Sequence, residues 1–238
     1  MADDRNALKR LAAWRAVEEI RSGMTLGLGH GSTAAHALQR IGQLLDRGAL
    51  ERIQGVPCSL EVEKEALVLG IPLTTLDEHP VLDLTIDGAD EADEELRLIK
   101  GGGGALLREK IVAQASRREI IVVDEGKLSA RLGEKQALPV EVLPFGWRSQ
   151  AEYLCLLGGN WKLRLQSSGE PYRTDQGNYI LDCLFGPMAE PEALSKALSA
   201  RAGIVEHGLF IGLASQMIVA GSQGLRILNK DVESITRG

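Results

Sequence analysis

Several things are scarce in this chain, and each scarcity removes a class of function. Its 238 residues include three cysteines, Cys58, Cys155 and Cys183, set far apart. There is no CxxC pair and no Cys/His pair at metal-ligand spacing, so neither a zinc site nor any other metal centre is expected. Reduced, buried thiols in a cytoplasmic protein are the expectation. Long apolar runs are also missing: nothing approaches the roughly 18 residues a membrane span needs. The opening stretch, MADDRNALKRLAAWRAVEEI, lacks the apolar segment of a signal peptide and has the spacing of a charged amphipathic helix. Basic residues are in the minority. A net charge of -6 argues against nucleic acid as a partner, which would need clustered Lys and Arg. An anionic ligand would have to be held by local donors and not by a global field.

Two nucleotide-binding signatures are absent as well. Gly27-Leu28-Gly29 follows an apolar run in the manner of GxGxxG, but a frame starting at Gly27 puts Ser32 where the last glycine belongs. No acidic residue clearly ends the next predicted strand, Arg52 to Val56, to grip a ribose. No Gly-Lys-Ser/Thr marks a P-loop. What remains is a glycine turn between a strand and a helix, which aims backbone N–H groups and a helix dipole at one spot. That spot suits a phosphate.

Apolar content of 44% is enough for a real core in one large domain or two small ones. Leu8, Leu11, Ala12, Ala16, Val17 and Ile20 recur at helical spacing, and Ser22-Gly23 is expected to end that helix. Met24 to Leu28 is the first predicted strand. Ala34 to Leu45 is a helix with Ala35, Leu38 and Ile41-Gly42 inward. Glu61 to Leu69 is helical, and Ile71 to Thr75 is a short strand. After Gly133 the expected order is strand (Pro139 to Leu143), helix (Arg148 to Leu157), strand (Trp161 to Gln166), strand (Tyr179 to Leu184), helix (Glu192 to Ala202) and strand (Ile204 to Phe210). This is the ferredoxin-like βαββαβ pattern. The fold class expected is therefore α/β: a mostly parallel open sheet with helices on both faces, plus an inserted α+β ferredoxin-like subdomain. The expected boundaries are 1–132 with 211–238 for the larger domain and 133–210 for the smaller.

The chemistry is concentrated between Asp83 and Lys110, DLTIDGADEADEELRLIKGGGGALLREK. A buried strand, Asp83 to Ile86, runs into a turn with two carboxylates, Asp87 and Asp90. A second strand, Leu96 to Ile99, ends on Lys100. Gly101 to Gly104 follow, and then a helix carrying Glu109. Each glycine costs about 1 kcal/mol in ordered structure relative to alanine, so four in a row point to close approach of a ligand. A further predicted strand, Glu119 to Val123, leads to Lys127. Four loops, Gly29 to Thr33, Asp87 to Asp90, Lys100 to Gly104 and Lys127, thus follow strand ends, where open α/β sheets bind ligands.

At these residues the chain closely resembles ribose-5-phosphate isomerases of the A type. The matching pieces are GLGHGSTAAHAL at 27–38, DLTIDGADEAD at 83–93, LIKGGGGALLREKI at 99–111, VDEGKLSARLG at 123–133 and LPVEVLPFGW at 138–147, with VEHGLF at 205–210. His30 stands where that family usually has Thr, and Cys58 where Ser is more usual. The resemblance implies interconversion of ribose 5-phosphate and ribulose 5-phosphate through an enediolate, without cofactor or metal. It places the base at Glu109. Asp87 and Asp90, on the turn with Gly88 and Ala89, would bind sugar hydroxyls, with Asp87 assisting ring opening. Lys100 and the amides of Gly101, Gly102 and Gly103 would hold the polarised oxygens. Lys127 would close the site, and His30, Gly31, Ser32 and Thr33 would take the phosphate. The resemblance also implies a homodimer. A related sugar-phosphate enzyme, such as an amino-sugar-phosphate deaminase, and a non-catalytic sugar-phosphate sensor are the alternatives.

Overall fold

The structure is a computed structural model and describes residues 2–230. In chain order it contains α1 (Ala2–Val17), β1 (Thr25–Leu28), α2 (Ala34–Asp46), β2 (Gln54–Pro57), α3 (Leu60–Val68), β3 (Leu84–Asp87), β4 (Glu91–Ala92), β5 (Leu98–Ile99), α4 (Leu106–Ala115) and β6 (Glu119–Asp124). A single 3-10 turn, Glu125–Lys127, precedes β7 (Leu138–Val142), α5 (Trp147–Leu156), β8 (Asn160–Leu163), β9 (Tyr179–Leu184) and α6 (Pro191–Ser199). The last strands are β10 (Ile204–His207), β11 (Leu209–Phe210), β12 (Gln216–Gly221) and β13 (Gly224–Asn229). No helix among the described residues is long and apolar enough to cross a membrane.

The main sheet has the order β13-β12-β6-β3-β1-β2, parallel throughout except for the antiparallel edge strand β13. Both faces are covered, so its strands read as unbroken apolar runs such as Ile120 to Val123. On one face Leu26, Leu28, Leu84, Ile86, Ile120 and Val122 pack beneath Ala12, Ala16 and Val17 of α1 and Leu38 and Ile41 of α2. The opposite face presents Gly27, Thr85, Asp87, Ile121 and Val123. There α4 comes so close that a Cβ on Gly27 would meet Val112 at 2.6 Å. This is the expected α/β architecture with helices on both faces.

The stretch after Gly133 forms a separate antiparallel sheet, β10-β7-β9-β8, with α5 and α6 as its crossovers. Numbered within this stretch, the strand order is 4-1-3-2, the order that the βαββαβ pattern implies. Its core is Val140, Val142, Leu181 and Cys183 against Ala151 and Leu154 of α5 and Leu198 of α6. The expected boundary run 211–238 extends past the described residues at 231–238.

The structure corrects several expected elements. The strand expected from Ile204 to Phe210 is broken at Gly208, where the chain passes between two sheets. Gly208 N donates to Pro139 O while its own carbonyl accepts from Lys100 N, and a Cβ there would lie 2.3 Å from Lys100 O. The second half, β11, joins a three-stranded sheet β11-β5-β4. Ile71 to Thr75 makes only one bridge, Leu73 to Gly55, because Pro72 has no N–H to extend a ladder. Leu96 sits at φ 61 and turns the chain, which leaves Leu98–Ile99 as the strand. β8 stops at Leu163 and not at Gln166. The first helix ends at Val17, with Leu11 exposed and Ala13 buried in its place. In α2, Ala34 and Ala37 face inward and Ala35 is only half-buried.

Candidate active site

Four loops meet over the C-terminal edge of the main sheet. Three follow sheet strands: β1 leads to His30–Thr33, β3 to Gly88–Asp90, and β6 to the 3-10 turn with Lys127. The fourth, Lys100–Gly103, comes from β5 in the small sheet. Together they wall a cleft lined by His30, Gly31, Ser32, Thr33, Gly88, Ala89, Asp90, Lys100, Gly101, Gly102, Gly103, Glu109 and Lys127. Every sequence candidate is in this wall except Asp87, which lies directly beneath it and is fully buried.

The buried charges form one chain of contacts. Lys100 Nζ lies 3.0 Å from Asp87 Oδ2 and 2.9 Å from Glu109 Oε1, and donates to Gly88 O at 2.6 Å. The other Asp87 oxygen accepts from His30 N at 3.0 Å and Gly88 N at 2.7 Å. β1 and β3 can bring these groups together because residue 29 is glycine. A Cβ there would lie 2.4 Å from Ile86 O and 2.5 Å from Asp87 Cγ. Burial works against the Lys100 ammonium, but the two carboxylates outweigh it and raise its pKa above the ordinary lysine value. For Glu109, burial raises the pKa, partly offset by Lys100 and reinforced by the negative Asp87. Its Oε2 is buried and has no hydrogen-bond partner among the described residues.

At the other end of the cleft, Gly31 to Thr33 turn into the first residues of α2. This thirteen-residue helix directs its N-terminal dipole there. Ser32 Oγ accepts from Lys9 Nζ at 2.8 Å. Sequence reasoning missed Lys9: it is one of several charged residues on the first helix, and nothing local ties it to a loop 23 residues away. His30 reaches into the cleft over the glycine run, where a Cβ on Gly103 would lie 2.2 Å from its ring. Its Nε2 is 3.1 Å from Glu61 Oε2, a second contact that no sequence signal announced. Asp90 Oδ2 accepts from Gly102 N at 2.7 Å.

Residues 54–224 match the family model described as ribose 5-phosphate isomerase A (phosphoriboisomerase A). The chain belongs to that family. It is 59% identical over 218 residues to ribose-5-phosphate isomerase A of Chloroflexus aurantiacus, covering 92% of this chain and 91% of the relative. A solved D-ribose-5-phosphate isomerase in complex with phospho-erythronic acid superposes with a TM-score of 0.92 at 36% identity, covering 94% and 98% of the two chains. The ribose 5-phosphate isomerase of Plasmodium falciparum gives 0.91 at 41% identity over 95% and 99%. The reaction is that of the isomerase A family, interconversion of D-ribose 5-phosphate and D-ribulose 5-phosphate. The deaminase and sensor alternatives are disfavoured.

Proposed function

We propose that Glu109 is the base that moves the proton between C2 and C1, and that Lys100 and the glycine-run amides stabilise the enediolate. The single observation that supports this most is the division of labour within the Glu109 carboxylate. One oxygen is fixed by Lys100, and the other is buried in the wall of the cleft without a partner among the described residues. In the forward direction the C2–H bond breaks toward that free oxygen, and the negative charge spreads onto O1. The same carboxylic acid then protonates C1, and the O2 proton passes to O1 as the C2 carbonyl forms, so that no net proton is gained or lost. A raised pKa makes Glu109 a stronger base near neutral pH than an ordinary carboxylate. Lys100 supplies a fixed positive charge where the oxyanion develops, and it requires no reorganisation at that moment.

Asp87, expected to meet sugar hydroxyls and assist ring opening, is fully buried, with its carboxylate engaged by Lys100 Nζ and by the His30 and Gly88 amides. This supports a role in fixing Lys100. Asp90, which lines the cleft, is the better candidate for the hydroxyls, and Lys127, also in the lining, closes the site. The phosphate is taken by the Gly31–Thr33 turn at the α2 N-terminus, with Lys9 beside it. The phospho-erythronic acid of the solved relative is a phosphorylated acid, and this cleft offers both a phosphate end and an oxyanion end. The reaction belongs to the non-oxidative branch of the pentose phosphate pathway. The protein acts in the cytoplasm as a homodimer and needs no cofactor, because Lys100 occupies the place of a catalytic cation.

A coupled assay with ribose 5-phosphate tests the assignment. Glu109→Gln keeps the shape of the side chain but cannot accept the proton, so kcat falls by about 100- to 10,000-fold with substrate affinity retained. A loss of only a few-fold would put the base elsewhere. Wild-type turnover is unchanged after exhaustive chelation; activity that disappears and returns with one divalent ion would refute the metal-free reading.

A further inference from the structure

The hairpin from Arg164 to Asn178 contributes nothing to the cleft wall, yet it holds the glycine run from behind at three consecutive carbonyls. Arg164 Nη1 donates to Gly101 O at 2.9 Å and to Gly102 O at 3.0 Å. Tyr172 OH donates to Gly103 O at 3.3 Å. Arg164 and Tyr172 are neighbours across the hairpin, since Tyr172 N donates to Arg164 O and the guanidinium lies 5.9 Å from the Tyr172 ring centroid. The guanidinium fork is itself fixed. Its Nε donates to Asp182 Oδ2 at 2.9 Å, and its Nη2 bonds the other oxygen of the same carboxylate. Farther along, Asp175 Oδ2 accepts from Leu60 N at 2.9 Å and moors the hairpin to the start of α3.

A trans peptide points its C=O and the following N–H in opposite directions. Carbonyls 101 and 102 held on the hairpin side therefore turn the amides of Gly102 and Gly103 the other way. The Gly102 amide does point there, donating to Asp90 at 2.7 Å, and Gly103 lies in the cleft wall. The run cannot fix this orientation itself. It has no side chains, Gly101 and Gly104 sit at φ 103 and 86, and Gly102 and Gly103 are exposed. A charged donor on each carbonyl also polarises the peptide and strengthens its N–H as a donor. We infer that Arg164 is a positioning residue for the isomerisation: by gripping the Gly101 and Gly102 carbonyls it aims the glycine-run amides at the developing oxyanion. This rests on the reading that those amides stabilise the enediolate. Lysine could not replace Arg164 fully, because one ammonium cannot span two carbonyls and a bidentate carboxylate at once.

The test compares Arg164→Gln, Arg164→Lys and Tyr172→Phe in steady-state kinetics, alongside binding of phospho-erythronic acid and of inorganic phosphate. Arg164→Gln lowers kcat by about 10- to 100-fold with little change in KM, a smaller loss than removal of an oxyanion donor itself. Arg164→Lys recovers part of the loss, and Tyr172→Phe shows a milder one. Affinity for phospho-erythronic acid falls in step with kcat, while inorganic phosphate binds as before, because its loop is untouched. If Arg164→Gln does not fold, Asp182→Asn, which frees the fork but keeps the arginine, shows the same pattern at reduced size. Unchanged kcat in Arg164→Gln would overturn the proposal. So would equal loss of phosphate and phospho-erythronic acid binding, the mark of general disruption. Glu109→Gln, measured in parallel, separates the two levels. If it keeps turnover, the reading of the site fails. If it loses turnover while Arg164→Gln does not, only the positioning role fails.

Discussion

Glu109 and Glu119 are both buried carboxyls, and their surroundings give them opposite meanings. Glu109 meets Lys100; Glu119, at the start of β6, has no partner for either oxygen among the described residues. On the proposed role of Glu109 as the base, the ionised form is the active one; burial raises its pKa, so activity is full above that pKa and lost as pH falls through it. The acid limb of kcat/KM against pH therefore lies above the range of an ordinary carboxylate; a limb near 4.5 would contradict this. Burial pushes Glu119 up to about 8 from the ordinary glutamate value of 4.5. Between these values the unfolded chain has released the proton that the folded one keeps, so stability falls as pH rises through this window. Glu119→Gln removes the titration. It raises stability at pH 8 to 9 by a few kcal/mol at most and hardly changes it near pH 4.5. Denaturant titrations at the two pH values check this, and an equal effect at both would refute it.

At the scale of elements, the site depends on how closely β1 and β3 approach. Gly29→Ala forces its new methyl against Ile86 O and Asp87. Overpacking of this kind costs roughly 1–3 kcal/mol, and here the displaced group is the carboxylate that holds Lys100. Both stability and kcat should therefore fall. Gly48→Ala has open space around it, although its φ of 65 adds strain, so it should lower stability while leaving kcat alone. Equal kcat in the two variants would show that the β1–β3 contact does not control the site. Strands and helices with an internal period were legible in the sequence: β6 from its apolar run, α2 from its spacing, the βαββαβ order from alternation. Elements set by distant partners were not. The break at Gly208 exists because two sheets share that residue, and Ile71 to Thr75 fails as a strand because of one proline.

At the scale of the whole molecule, large apolar side chains remain outside. Phe145 is 93% exposed and Leu156 84% exposed, both in the stretch that builds the four-stranded sheet. β13 leaves Leu225 and Ile227 partly exposed on the edge of the main sheet. Covering such surface with a second copy is the usual solution, and it underlies the proposed dimer. Light scattering at micromolar concentration should return twice the chain mass; the mass of one chain would contradict it.

The sequence by itself determined the chemistry on offer: the carboxylates, the lysines, the glycine turns and the strand ends that carry them. These signals are local, because a turn needs its glycine and a buried strand needs its apolar run wherever they lie in the fold. Only the tertiary structure decided which of these groups meet. It set Asp87 under the cleft, brought Lys9 to Ser32, and put Arg164 behind carbonyls more than sixty residues away in sequence. Such pairings depend on sheet register and on the packing of one sheet against another, and no periodicity in the chain encodes them.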